Sequence, residues 1–174
     1  MTMLKRLAIV LAAALLLNGC GAAGGGTTQP PVVNPPAQAV QKLAVGQLPA
    51  GWEPVTGSVL EHQYLKGTSS FMIKTEAFTS TTPEEIALEA EKIFMGSFDD
   101  YERIGLSGIT VAGRPAAKLT FRCNVSRMAM EFMYVYLMVG SDVYAITFGD
   151  TLEGFPQLAA EYETILSGLT IVAG

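Results

Sequence analysis

The stretch Met130 to Val139 limits the possible folds more than any other part of the chain. Read as a strand, it sets Met130, Phe132, Tyr134, Tyr136 and Met138 on one face and Met133, Val135, Leu137 and Val139 on the other. Both faces are apolar, with Glu131 the one exception. A strand with one side in water alternates apolar with polar residues, so this strand belongs in the middle of a sheet covered on both sides. Whatever else the chain forms must supply two covers.

Neighbouring segments alternate in the same way. Phe71, Ile73, Thr75 and Ala77 form one series, Leu119, Phe121, Cys123 and Val125 another, and residues 143 to 148 a third. Gly113 and the Gly140-Ser141-Asp142 segment mark tight turns between strands, and short turns make the sheet antiparallel. The covers are two helices. Thr82-Pro83-Glu84-Glu85 reads as a helix start, with Thr82 as N-cap, Pro83 at the first helical position and Glu85 placed to complete a capping box. Ile86, Ala90, Ile93 and Phe94 then recur at helical spacing, which puts Glu84, Glu85, Glu89 and Glu91 on a solvated face. A second helix is predicted from Pro156 to about Leu166, carrying Leu158, Tyr162 and Ile165 inward and ending at Ser167-Gly168. The expected fold class is α+β, an antiparallel β-sheet sandwiched by helices.

The N-terminal end has a different composition. Lys5 and Arg6 precede eleven apolar residues, Leu7 to Leu17. That is the build of an export signal, too short for the roughly 20 residues of a membrane-spanning helix. Leu17-Asn18-Gly19-Cys20 follows directly and resembles the lipobox of bacterial lipoproteins. The resemblance implies a signal peptide over 1–19 and diacylglycerol and palmitate on Cys20, whose thiol is then lost to disulfide formation. Two or more acyl chains hold a protein at a membrane with about 0.8 kcal/mol per buried methylene. The expected localisation is the extracytoplasmic face of a cell membrane, lipid-anchored. Residues 20–42 are rich in Gly, Ala, Thr and Pro, with no charged side chain before Lys42, and read as a disordered tether; the domain proper is placed at 43–174.

Charge removes one class of partner. Residues 43–174 hold 16 acidic and 8 basic residues, a net charge of −8, so no nucleic acid is expected to bind. Attachment to an anionic membrane rests on the lipid, not on a basic patch.

Candidate sites are few. Cys123 alternates with Leu119, Phe121 and Val125 and reads as a buried small hydrophobe. The single histidine, His62, has no motif linking it to Cys123. His62 beside Glu61, or the Asp99-Asp100 pair, offers fewer ligands than a metal site needs, so neither metal nor cofactor is expected. Trp52, after Pro49-Ala50-Gly51, is either a surface anchor or a ring packed over the sheet edge. Met128, Met130, Phe132, Tyr134 and Tyr136 either line an apolar groove or pack under a helix.

Several passages resemble the PsbP-like superfamily, which includes the DcrB-like lipoproteins of bacteria and a Ran-binding eukaryotic branch. Gly51-Trp52 follows Leu48-Pro49; Ile109 to Ala116 looks like the strand-turn-strand of that family; Val143 to Phe148 precedes a last helix opened by Phe155. The likeness spans nearly all of residues 43–174 and implies an α/β/α sandwich. Its carriers are turn glycines and core residues, so no functional residue is carried over. The expected function is a non-catalytic envelope lipoprotein that docks or supports a protein assembly, and not an enzyme. The alternative is a binder of a small or apolar ligand between helix and sheet. A docking module predicts an exposed patch without a deep cavity, and a ligand binder a cavity of about 300 Å³ or more.

Overall fold

The computed structural model describes residues 40–174; the expected signal peptide, Cys20 and most of the tether lie outside the described residues. In chain order the elements are β1 (Gln41–Ala44), β2 (Glu53–Pro54), β3 (His62–Lys66), β4 (Ser69–Glu76), α1 (Pro83–Ser97), β5 (Asp99–Val111), β6 (Arg114–Val125), β7 (Met128–Val139), β8 (Asp142–Thr151), α2 (Phe155–Ser167) and β9 (Thr170–Ala173). Seven strands form one sheet in the order β2-β3-β4-β8-β7-β6-β5, with antiparallel neighbours throughout, and β1 pairs with β9 in a separate two-stranded ribbon. Gln41 and Lys42, assigned to the tether from composition, belong to the ribbon instead.

The apolar strand β7 lies inside the sheet, between β8 and β6. Met133, Val135, Leu137 and Val139 enter one core with Phe71, Ile146 and Phe148 from the sheet and Phe155, Tyr162, Ile165 and Leu166 from α2. Leu43 of β1 joins that core. Tyr136 enters a second core, with Ala117, Leu119, Phe121, Cys123, Val143 and Ala145 under Ile86, Ala87 and Ala90 of α1. The sheet is therefore covered on both sides, as the doubly apolar strand requires.

The helix boundaries follow local chemistry. The Glu85 N–H donates to Thr82 Oγ1 at 3.3 Å, the expected cap. Here the Thr82 hydroxyl also donates to the Glu85 carboxylate at 2.8 Å, a variant of the capping box in which the side chains bond to each other. Gly168 caps α2 as expected. One part of the α1 reading is corrected. Glu91 is only 4% exposed, turned from the predicted solvated face toward β5, where it accepts from Tyr101 Oη at 2.8 Å and Arg103 Nε at 2.7 Å. Helical spacing points to a solvated face for an isolated helix, whereas the outer strand β5 supplies two donors to this side of α1. Ile93, predicted inward, is exposed.

Candidate functional site

Cross-strand register builds the α1 side of the sheet beyond the helix. Phe132 of β7 stands opposite Gly149 of β8, Gly149 opposite Ser70 of β4, and Ser70 opposite Leu65 of β3. In the next row Tyr134 stands opposite Thr147, and Thr147 opposite Met72. The Phe132 ring lies over Gly149, where an added Cβ would sit 2.5 Å from it, so a side chain at 149 would displace the ring. On its other side Phe132 packs beside Phe121 of β6, 5.5 Å between ring centroids, and Phe98 at the end of α1, 6.2 Å away. Tyr134 meets Phe94 at 4.8 Å. Burial pushes the Tyr134 hydroxyl up to about 12, so it stays protonated at any physiological pH.

This face therefore changes character along β7. Tyr136 is fully buried, Tyr134, Phe132 and Met130 are half-buried, and Met128 is 57% exposed. Leu65, at the far end of the Phe132 row, is 44% exposed. The result is an open shelf beyond the end of α1, with Met128, Met130 and Phe132 on β7 and Leu65 across Gly149 and Ser70 from them. At its rim, the β6–β7 turn uses Ser126 (φ 52°) and Arg127 (φ 70°), two non-glycine residues in the left-handed region. Such a turn holds the hairpin twist at a conformational cost that glycine would avoid, and strained backbone of this kind clusters at functional surfaces.

The other sequence candidates separate cleanly. Trp52 is corrected as a surface anchor: it is 8% exposed, edge-on to Phe71 and Tyr162, and its Nε1 donates to Glu161 at 2.9 Å. Lys66 Nζ donates to the same carboxylate at 2.7 Å and, with the Trp52 bond, holds Glu161 below the ordinary carboxylate range. Cys123 is buried and free, its thiol pushed up to about 11 by burial, which makes it a poor nucleophile. Asp100 takes the left-handed region (φ 53°) and its carboxylate accepts from the Asn124 amide. Among the described residues no cluster of three or more metal-ligating side chains occurs.

Sequence reasoning did not find the Glu91–Tyr101–Arg103 set or the Trp52–Glu161–Lys66 set. Each joins residues distant in sequence, and no local period marks them. The Leu65 and Met72 side of the shelf was also missed, since β3 is too short and too polar to show an alternation.

Clefts open at several places among the described residues. One, of about 290 Å³, lies between the β1 ribbon, the loop before β3 and the sheet, with Lys42, Leu43, Leu60, His62, Ile73 and Tyr144 in its walls. A second, of about 650 Å³, lies at the β7–β8 turn beside Arg114, and a third, of about 390 Å³, beside the first turns of α1. None of them is formed between a helix and the sheet. No helix among the described residues is long and apolar enough to cross a membrane.

No family model matches the chain, and no curated protein matches it in sequence. Solved structures do share its fold. The cyanobacterial PsbP (CyanoP) from Synechocystis aligns with a TM-score of 0.54 at 11% identity, covering 87% of this chain and 98% of that one. LpqN of Mycobacterium tuberculosis, involved in cell envelope biogenesis, aligns at 0.59 and 11%, covering 77% and 85%. A Pseudomonas aeruginosa protein of unknown function aligns at 0.51 and 15%, covering 75% and 83%. At these identities the likeness establishes the fold, which is PsbP-like: an antiparallel sheet between helices.

Proposed function

We propose that this chain is a non-catalytic module of the cell envelope, tethered to a membrane by lipid on Cys20, that docks a protein partner on the shelf of Met128, Met130, Phe132 and Leu65. The observation that carries the reading is the shape of this face: half-buried aromatic rings and an exposed methionine on an open surface, rather than around a cavity. Methionine and aromatic side chains are the adaptable and rigid elements, respectively, of protein-binding surfaces. The role of LpqN in envelope biogenesis agrees with the proposed compartment. Against Cys123 as a nucleophile stands its burial, which keeps the thiol protonated.

The test is crosslinking and affinity capture from native membranes with the full lipidated chain, beside Cys20→Ala and Met128→Asp variants. A protein enriched with the parent chain and lost from both variants supports the reading. Enrichment unchanged by Met128→Asp assigns docking to another surface.

A second reading, small-ligand binding, draws support from the His62 cleft, because His62 Nδ1 is buried there without a hydrogen-bond partner. A small molecule in native mass spectra of the gently purified protein, absent from His62→Ala, would favour it.

A further inference from the structure

The cleft beside His62 has walls from three parts of the chain. The β1 ribbon contributes Lys42 and Leu43, the sheet contributes His62, Ile73 and Tyr144, and the loop before β3 contributes Leu60. That loop is held by its own bonds. Ser58 Oγ donates to Gln63 Oε1 at 2.6 Å and accepts from the Leu60 N–H at 3.0 Å, while the Val55 N–H donates to the Gln63 carbonyl at 2.9 Å. The wall is therefore formed in advance, as small-molecule sites usually are. At about 290 Å³ the space equals about ten waters at their liquid volume of about 30 Å³ each.

Its polar groups are placed for a negative charge. Lys42 Nζ and His62 Nε2 come from different elements and converge on one atom, Glu61 Oε1, at 3.8 and 4.0 Å. Both distances exceed a hydrogen bond, so neither group donates to that carboxylate. The Glu61 side chain is 72% exposed, and displacing it uncovers no buried group. The other lysine of the cleft, Lys74, forms an ion pair with Glu76. His62 Nδ1 is buried without a partner, which leaves Nε2 as the nitrogen on which a neutral ring can use its hydrogen. Two donors thus face one anion position beside walls that Leu43, Leu60, Ile73 and Tyr144 make apolar.

We propose that this cleft binds a small amphipathic carboxylate, an aliphatic acid of about six to ten carbons given the volume. Its carboxylate takes the place of the Glu61 carboxylate between Lys42 Nζ and His62 Nε2, and its chain lies on Leu43, Leu60, Ile73 and Tyr144. The inference rests on the small-ligand reading of the cleft and adds the class of ligand. A cationic ligand would meet Lys42 and the His62 donor with Glu61 as its one acidic partner in the walls. A neutral ligand would leave the Lys42 ammonium unused. A phosphate is poorly served, because no arginine lines the cleft to neutralise a second charge. A carboxylate, with one charge and two acceptor oxygens, matches one ammonium and one ring N–H. The cleft shares the α2 face with Ile73 and so lies apart from the docking shelf on the α1 face.

The test is titration with hexanoate, its neutral isostere hexanamide and hexylammonium, followed by the amide resonances of the full lipidated chain in lipid nanodiscs. Hexanoate should shift the amides of Leu43, Leu60, His62 and Tyr144 and bind about fivefold tighter than hexanamide. Lys42→Gln should weaken hexanoate about fivefold and leave hexanamide unchanged. Glu61→Gln removes the competing carboxylate and should tighten hexanoate about threefold. Both side chains are at the surface, so neither substitution reaches the core. Hexanamide or hexylammonium binding the cleft as tightly as hexanoate, Lys42→Gln without effect, or Glu61→Gln without a gain would overturn the carboxylate assignment and leave the cleft a ligand site. No shift of the cleft amides with any of the three probes would overturn the small-ligand reading as well.

Discussion

On the α2 side of the sheet, the helix, the β1–β9 ribbon and the Trp52 ring together close over Phe71, Ile146 and Phe148. On the α1 side, a single helix closes over Phe121, Tyr136 and Ala145 and then ends, leaving Phe132, Met130 and Leu65 beyond it. The strands feeding the two sides have the same alternation. What differs is how much covering structure the chain supplies, and the apolar surface that remains on the α1 side is the surface available for function.

If both cores carry the fold, truncation within either should hurt alike. Phe148→Ala and Phe121→Ala are each expected to cost about 3–5 kcal/mol in urea unfolding. A loss confined to Phe148→Ala would make the α1 layer an accessory rather than a core.

The buried polar groups should matter less. Glu91→Ala leaves the Tyr101 hydroxyl without its acceptor and removes the ion pair with Arg103, for an expected loss of about 1–3 kcal/mol. Burial, followed by the Glu91 bond, raises the Tyr101 hydroxyl well above its usual range, so a fall in its titration in this variant would report the broken contact. On the α2 side, Trp52→Phe keeps a ring in place and loses the bond to Glu161, and about 1 kcal/mol is expected.

On the shelf itself, Met128→Asp should change stability by no more than about 0.5 kcal/mol, since the side chain is mostly in water. A larger loss would mean that Met128 belongs to the core and that the faces differ less than described.

The smallest effect is at the start of α1. Hydrogen bonds from Ser80 and Thr79 hold the Glu89 carboxyl at about 2, below the usual carboxylate range. A depressed carboxyl contributes in full above its unfolded value and loses that contribution as pH falls through the folded one. The Thr79 and Ser80 amide resonances should therefore stay fixed from pH 7 to about 4.5 and move only as pH approaches 2. Movement centred near 4.5 would show that the anchor is absent in solution.

The central sheet was legible because β7 states its own environment: a run from Met130 to Val139 that is apolar on both faces apart from Glu131 admits only an interior strand between two covers. Thr82, Pro83 and Gly168 marked helix ends for the same reason, as each acts within a few residues of itself. Glu91 was misplaced because its partners, Tyr101 and Arg103, come from a strand whose polar, glycine-containing sequence shows weak alternation. The shelf was half legible. Met128, Met130, Phe132 and Tyr134 stood out as one face, but whether the helix covers them depends on where α1 ends relative to β7, a distance that no period in the sequence encodes.

The most direct test of the open face is site-specific photo-crosslinking in native membranes, with the photoreactive residue at Met128 in one variant and at Glu163 of α2 in the other. One discrete protein adduct is expected from position 128 and none of that mass from position 163. Adducts of the same mass from both positions, or from 163 alone, would contradict it.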